Sequence, residues 1–162
     1  MNVGLRRFAG DERAQSLVEF AFVLPIFLLV VTGILDVARA VWQENTLAYA
    51  ARQGTRYAIV HGTAGSPIAW TGSDAVASCT STSSNPTCQP VFDAVTNAAV
   101  GVAGVTVTVT WPDLKGGTTC YDRNCRVTVD ATAQFIPLPS HYLLGDAYQI
   151  TLRGGSQLYI QR

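Results

Sequence analysis

From Leu17 to Leu35 almost every position is apolar and no period can be read. The stretch Phe20-Ala-Phe-Val-Leu-Pro-Ile-Phe-Leu-Leu-Val-Val-Thr-Gly-Ile-Leu35 lies uncharged between Glu19 and Asp36. A helix that is apolar on every face has no side to turn to water. The 19 residues from Leu17 to Leu35 rise roughly 28 Å as a helix, about the thickness of a bilayer's hydrocarbon core. Beyond Asp36 the texture changes but the helix does not end. Asp36 to Val60 is rich in alanine, lacks proline and holds one glycine, Gly54. A single helix is therefore predicted from Gln15 to about Val60, roughly 69 Å if unbroken, with its second half projecting from the membrane. Ala50, Gly54 and Ala58 recur every four residues along that half. Such a stripe of small residues admits a close neighbour, either another helix or the chain's own sheet.

Residues 61–90 carry turn formers and polar residues without helical period, and a long surface loop is predicted there, with Trp70 as a local anchor. Asn85-Pro-Thr87 has proline in its middle and is not a glycosylation acceptor. Val91, Val95, Ala98 and Val102 then keep helical spacing over Pro90 to Ala103. Val105, Val107, Val109 and Trp111 alternate with Thr106, Thr108 and Thr110, the pattern of a half-buried strand. After a turn at Gly116-Gly117, Val127, Val129, Ala131, Ala133 and Phe135 alternate likewise, and Pro137 and Pro139 stop that strand. Tyr148 to Arg153 alternates again and resumes at Leu158 and Ile160, so a bend or bulge is expected at Gly154-Gly155. The fold class that follows is α+β: a long N-terminal transmembrane helix continuing into an extracytoplasmic domain with an antiparallel sheet, whose apolar face packs on the helix. In residue ranges, 1–14 is a basic leader, 15–60 the long helix with its membrane part at 17–35, 61–90 the loop, and 91–162 a short helix plus sheet.

The flanks of the apolar run refine this reading. Arg6, Arg7 and Arg13 precede it, and basic residues tend to stay cytoplasmic, which places the C-terminal part outside. Arg39 and Trp42 follow it, a snorkelling cation and an interfacial aromatic. A cleaved secretory signal would have a shorter apolar core, although Asp36-Val-Ala-Arg-Ala40 does offer small residues for cleavage. Glu19 is the anomaly. A carboxylate at the edge of hydrocarbon is costly and calls for a partner or a purpose; the plain alternative is a place in the headgroup layer at a helix N-terminus.

Among the 162 residues are 11 basic and 11 acidic side chains, a formal net charge of zero, and only 14% are charged. With Lys115 as its only lysine, the chain lacks the basic patch that nucleic-acid binding requires. Its 48% hydrophobic content excludes general disorder. Cys79, Cys88, Cys120 and Cys125 all follow the apolar run. Four thiols allow three pairings, of which the local one, Cys79–Cys88 with Cys120–Cys125, agrees with an outward location. A zinc site is the rival, but the intervals of eight and four residues do not form two matched ligand arms. No phosphate-binding loop, zinc-protease motif or nucleophile elbow occurs. His61 and His141 are far apart beside turns, and Asp113, Asp122, Asp130 and Asp146 fall in turns or on polar strand faces. A calcium site built from these acids has no ligand-loop pattern behind it. No catalytic residue, metal site or cofactor is expected.

The string Arg6-Arg-Phe-Ala-Gly-Asp-Glu-Arg-Ala-Gln-Ser-Leu-Val-Glu-Phe-Ala-Phe-Val-Leu-Pro25 resembles the start of the TadE-like minor pilins (pseudopilins) of tight-adherence, Flp-type pilus systems. Asn45 to Ala58, with its Ala-Arg-Gln-Gly-Thr-Arg-Tyr core, is similar to the same family. The resemblance implies a prepilin peptidase cut between Ala14 and Gln15, which makes Glu19 the fifth mature residue and Phe20 the sixth. Family members more often have glycine where Ala14 stands. The resemblance also implies that Glu19 meets an N-terminal ammonium within a bundle of helices and that Pro25 loosens the helix. Two opposite charges in such a poorly solvated bundle attract strongly. The implied partners are membrane lipid, other pilin or pseudopilin subunits, the prepilin peptidase and the pilus assembly platform. The implied location is the bacterial cytoplasmic membrane, crossed once, or an extracellular pilus. The alternative function is a permanently anchored envelope protein with a ligand-binding or enzymatic outer domain.

Overall fold

The computed structural model describes residues 12–61, 78–82, 88–137 and 149–161. One helix dominates it: α1, Glu12–Val60, 49 residues, about 74 Å at the ordinary helical rise. It begins three residues before the predicted Gln15. Pro25 lies inside α1, where its ring removes one backbone bond without ending the helix.

The domain is built on the C-terminal half of α1. A second helix, α2 (Gln89–Ala98), buries Val91, Phe92 and Val95. It stops five residues short of the predicted Ala103. Gly101 adopts a left-handed conformation (φ +77°), and the chain there turns against the ring of Trp42, the nearest group to a Cβ built on that glycine. The main sheet has the order β1-β2-β5-β6 and is antiparallel throughout. Its strands are β1 (Ser78–Thr80), β2 (Thr106–Thr110), β5 (Arg126–Phe135) and β6 (Ile150–Tyr159). A separate two-stranded ribbon joins β3 (Leu114–Lys115) to β4 (Thr118–Thr119). Its two turn residues, Gly116 and Gly117, both have positive φ (62° and 85°), as a two-residue hairpin of right-handed strands requires.

The period-two patterns fall on the sheet as expected. Val107 pairs with Ala131 and Val109 with Val129, and these four side chains are fully buried under the helices. The interleaved threonines occupy the other face. β1, however, lies within the stretch expected to be loop. At three residues it is too short to show a period, and it gains its place by pairing with Thr108 to Thr110.

The expected bend at Gly154-Gly155 is absent. β6 runs through both glycines in unbroken register, Ala131 opposite Gly154 and Asp130 opposite Gly155. Their role is steric. A Cβ on Gly154 would run into the backbone of Leu47 and Ala48 in α1, and one on Gly155 would stand 2.7 Å from Asp130 Oδ1. Glycine at position 154 lets the helix axis come down onto the sheet. Gly54 makes room at a second contact of α1, facing Val95 and Val91 of α2 and Val129 of β5. Ala50 and Ala58, the other members of the small stripe, are also buried in this core, so the stripe packs against the chain's own α2 and sheet. Thr55, fully buried beside them, satisfies its hydroxyl on Ala51 O at 2.7 Å and reaches Ser156 O at 3.4 Å.

Two disulfides brace the domain. Cys79–Cys88, with Cα atoms 6.6 Å apart, ties edge strand β1 to the residue before α2, and Cys120–Cys125, at 6.0 Å, closes the approach to β5. Next to the second bridge, Arg126 binds Asp113 through Nη2 (2.6 Å) and Nε (3.0 Å), and its backbone N–H donates to the same carboxylate at 2.6 Å. These bonds hold the Asp113 carboxyl below its ordinary range and push Arg126 up.

Candidate functional site

The N-terminal half of α1 leaves the domain behind, and its apolar side chains are largely exposed. Phe22 is 74% exposed, Leu17 70% and Ile26 68%, with Phe20, Phe27 and Leu29 close behind. Large apolar side chains are exposed along this whole stretch of the helix. Burying each would release roughly 1.5–3 kcal/mol, so this surface is built to be covered. By length and composition alone the helix can cross a membrane once, and no residue of its apolar window is buried within the chain.

The polar groups of this half are few. Thr32 turns its hydroxyl back onto the helix, donating to Leu28 O at 2.9 Å and reaching Leu29 O at 3.1 Å, so it offers its surroundings little. Glu19 cannot hide in that way. Its side chain is exposed one helical turn from Gln15, whose Nε2 donates to Glu19 Oε1 at 3.2 Å. The four-residue spacing places both on one face. Residue 15 is thus already beside the carboxylate, through its side chain, before any question of a new N-terminus arises. Phe20 is exposed on the next position and Pro25 further along. Ala14 is helical in backbone, and its side chain lies outside the described residues, as do residues 1–11.

At the far end of the apolar run the helix is joined to the domain by contacts that the sequence pattern did not announce. Asp36 is only 5% exposed and pairs with Arg39 Nη1 at 3.2 Å. The Arg39 guanidinium lies over the Phe135 ring, 5.6 Å from its centroid, a cation–π distance. Trp42, half exposed, seats the chain at Gly101. Arg39 and Trp42 are therefore joints as well as flanking residues. Asp36 alone had a local signal, its three-residue spacing from Arg39; Phe135 and Gly101 had none.

The remaining candidates lie apart from one another. His61 stacks on Tyr57 (4.2 Å between centroids), has Nδ1 2.8 Å from Tyr57 O, and borders an open groove of about 580 Å³ with Arg56, Val60 and Asn97. Asp113 is held by Arg126 and Asp122 by Lys115, while Asp130 lies across from Gly155. Trp70, Pro139, His141, Asp146 and Tyr148 lie outside the described residues. Among the described residues no three or more His, Cys, Asp or Glu side chains gather in a way that could hold a metal ion.

Residues 14–56 match the model of the family described as TadE-like protein. The chain carries a TadE-like segment. That segment begins at Ala14, takes in Gln15, Glu19 and the whole apolar run, and ends within the buried half of α1 just past Gly54. It covers 43 of the 162 residues, and the α2 and sheet residues lie beyond it. No curated protein and no solved structure matches the chain.

Proposed function

We propose that this protein is a non-catalytic minor pilin or pseudopilin of a Flp/Tad-type pilus, held in the membrane and assembled through the N-terminal half of α1. One observation carries the reading. A folded domain extends a bare apolar helix whose only ionisable group between residues 17 and 35 is Glu19, and this helix lies in the TadE-like segment. In this reading the arginine-bearing leader stays in the cytoplasm and a prepilin peptidase cuts between Ala14 and Gln15. The helix then waits in the cytoplasmic membrane with the disulfide-braced domain outside. On assembly, Glu19 meets the ammonium freed on residue 15 of a neighbouring or the same subunit. In a poorly solvated bundle that pairing is strongly favoured, whereas either charge alone is costly to bury. It also sets the axial register of the helices. Pro25 makes the intervening segment easier to bend.

Two measurements test this. Mass spectrometry of the native N-terminus is expected to find Gln15 as the first residue; an intact Met1 refutes processing. Glu19→Ala is expected to leave membrane insertion and the folded domain unchanged and to abolish incorporation into the filament or its assembly complex. Normal incorporation of that variant refutes the pairing.

A further inference from the structure

We propose that the end of the domain nearest the bilayer is itself a lipid-contact surface. The turn around Val100 and the Phe135–Ile150 end of the sheet rest in the headgroup layer of the membrane that α1 crosses. The inference depends on reading residues 17–35 as the membrane span.

The directions of the elements bring these groups together. α2 lies beside Gly54 through Val91 and Val95, and by Gly101 the chain has come back along α1 to Trp42. β6 approaches Leu47 and Ala48 at Gly154. At its other end Ile150 pairs with Phe135, beneath Arg39. The turn after α2 and one end of the sheet therefore both meet α1 between Arg39 and Trp42. These residues stand four and seven positions beyond Leu35, about 6 and 10 Å along the axis. Each headgroup layer is roughly 5–8 Å deep, the difference between a hydrocarbon core of about 30 Å and a bilayer of 40–45 Å. With the run centred in the hydrocarbon, Arg39 lies among the headgroups and Trp42 at their outer margin.

The chemistry of this end fits phospholipid. Val100 is 70% exposed, Trp42 52% and Ile150 40%, three large apolar side chains open to the surroundings at the end of the domain that meets α1 just past the span. Arg39 offers a guanidinium fork of the kind that binds phosphate, beside a tryptophan of the kind that settles at interfaces. Among the described acids, Asp36 is buried and paired with Arg39, and the exposed Glu44 stands nine positions beyond Leu35, about 13 Å along the axis and outside the headgroup layer. The opposite end differs. The Cys120–Cys125 tip carries the exposed Lys115–Asp122 pair, and Gln161 meets Ile59 near the C-terminal end of α1.

The full chain is reconstituted at low protein-to-lipid ratio in vesicles of phosphatidylcholine and phosphatidylglycerol. An environment-sensitive fluorophore is placed in turn on Phe27→Cys, Val100→Cys and Leu158→Cys, with the native disulfides kept oxidised. Nitroxide lipids quench from either the headgroup or the middle of the acyl chain. The expected result is quenching at position 27 by the mid-chain nitroxide, a blue shift and headgroup-nitroxide quenching at position 100, and neither at position 158. Quenching at 27 with a fully aqueous label at 100 overturns this inference and leaves the membrane reading intact. Loss of quenching at 27 overturns both. Equal quenching at 100 and 158 overturns the inference, because the domain would then lie on its side. A blue shift at 100 that follows protein density and not nitroxide lipid assigns the patch to a second copy of the chain and also overturns it.

Discussion

The two halves of α1 belong to one continuous helix, yet they solve opposite problems. Between Leu17 and Leu35 the residues are mostly bulky phenylalanines, leucines, isoleucines and valines, and these are largely exposed. Between Leu47 and Ala58 the buried positions are mostly alanine, glycine and threonine, pressed against α2 and the sheet. Large apolar side chains cover a helix cylindrically and suit a solvent of hydrocarbon or of other helices. Small ones let a backbone approach to within contact of another, as at Gly154 on Leu47 and Ala48. Residue size, more than hydrophobicity, separates the half that waits for a partner from the half that already has one.

The sharpest way to break this comparison is to make the same substitution in both halves. Leu47 is fully buried, while Leu29 is 61% exposed. Leu47→Ala is expected to destabilise the domain by about 2–5 kcal/mol. Leu29→Ala should leave its stability within about 0.5 kcal/mol of the parent. Urea unfolding of the detergent-solubilised full chain, followed through the buried Trp111, measures both. Equal losses would show that the exposed half contributes to the domain's core after all.

The next effect concerns what holds the domain together where its core is thin. Replacing both members of Cys79–Cys88 or of Cys120–Cys125 by serine is expected to cost roughly 2–3 kcal/mol for each bridge, the chain entropy of short closed loops. Loss of Cys79–Cys88 should act first on β1, which has three paired residues to hold it. Hydrogen exchange at positions 79 and 80 should rise before that at β5. If β5 loosens first, the bridge does not staple the edge strand.

The smallest effect is electrostatic. Asp113 has a carboxyl lowered by Arg126 in the folded chain. Its contribution is therefore complete above the ordinary carboxylate range and is lost as pH falls through the lowered folded value. Arg126 is shifted upward and stays charged through the same range. Asp113→Asn is expected to flatten the acid limb of the stability profile while changing little in alkali. An unchanged acid limb would show that this half-buried pair is screened by solvent.

Much of this architecture was legible beforehand because its signals are local. The alternation from Val105 to Trp111 and from Val127 to Phe135 needs only neighbours two apart to declare a strand, and the unbroken apolar run needs none at all. Three misreadings share one cause. Gly154-Gly155 looks like an interruption in a strand, since nothing in β6 announces that α1 will lie across it. Pro90 to Ala103 keeps helical spacing, but the helix ends at Ala98 and Gly101 turns in a left-handed conformation against the ring of Trp42, a remote residue. Ser78–Thr80 is a strand because β2 is there to pair with it. The candidate site divides in the same way. Glu19 stands out as a charge beside an apolar run, whereas the Asp36–Arg39–Phe135 joint depends on a residue almost a hundred positions away.

The order of residues alone determined that one long helix would carry a bare apolar half with a single carboxylate, and that valine-threonine strands would follow it, because periodicity and charge are properties of adjacent positions. The folded arrangement decided which face of the helix's second half is covered, why glycine stands where two backbones meet, and which end of the sheet lies beside the apolar run. Those outcomes depend on distances between segments remote in the chain, which no local pattern records.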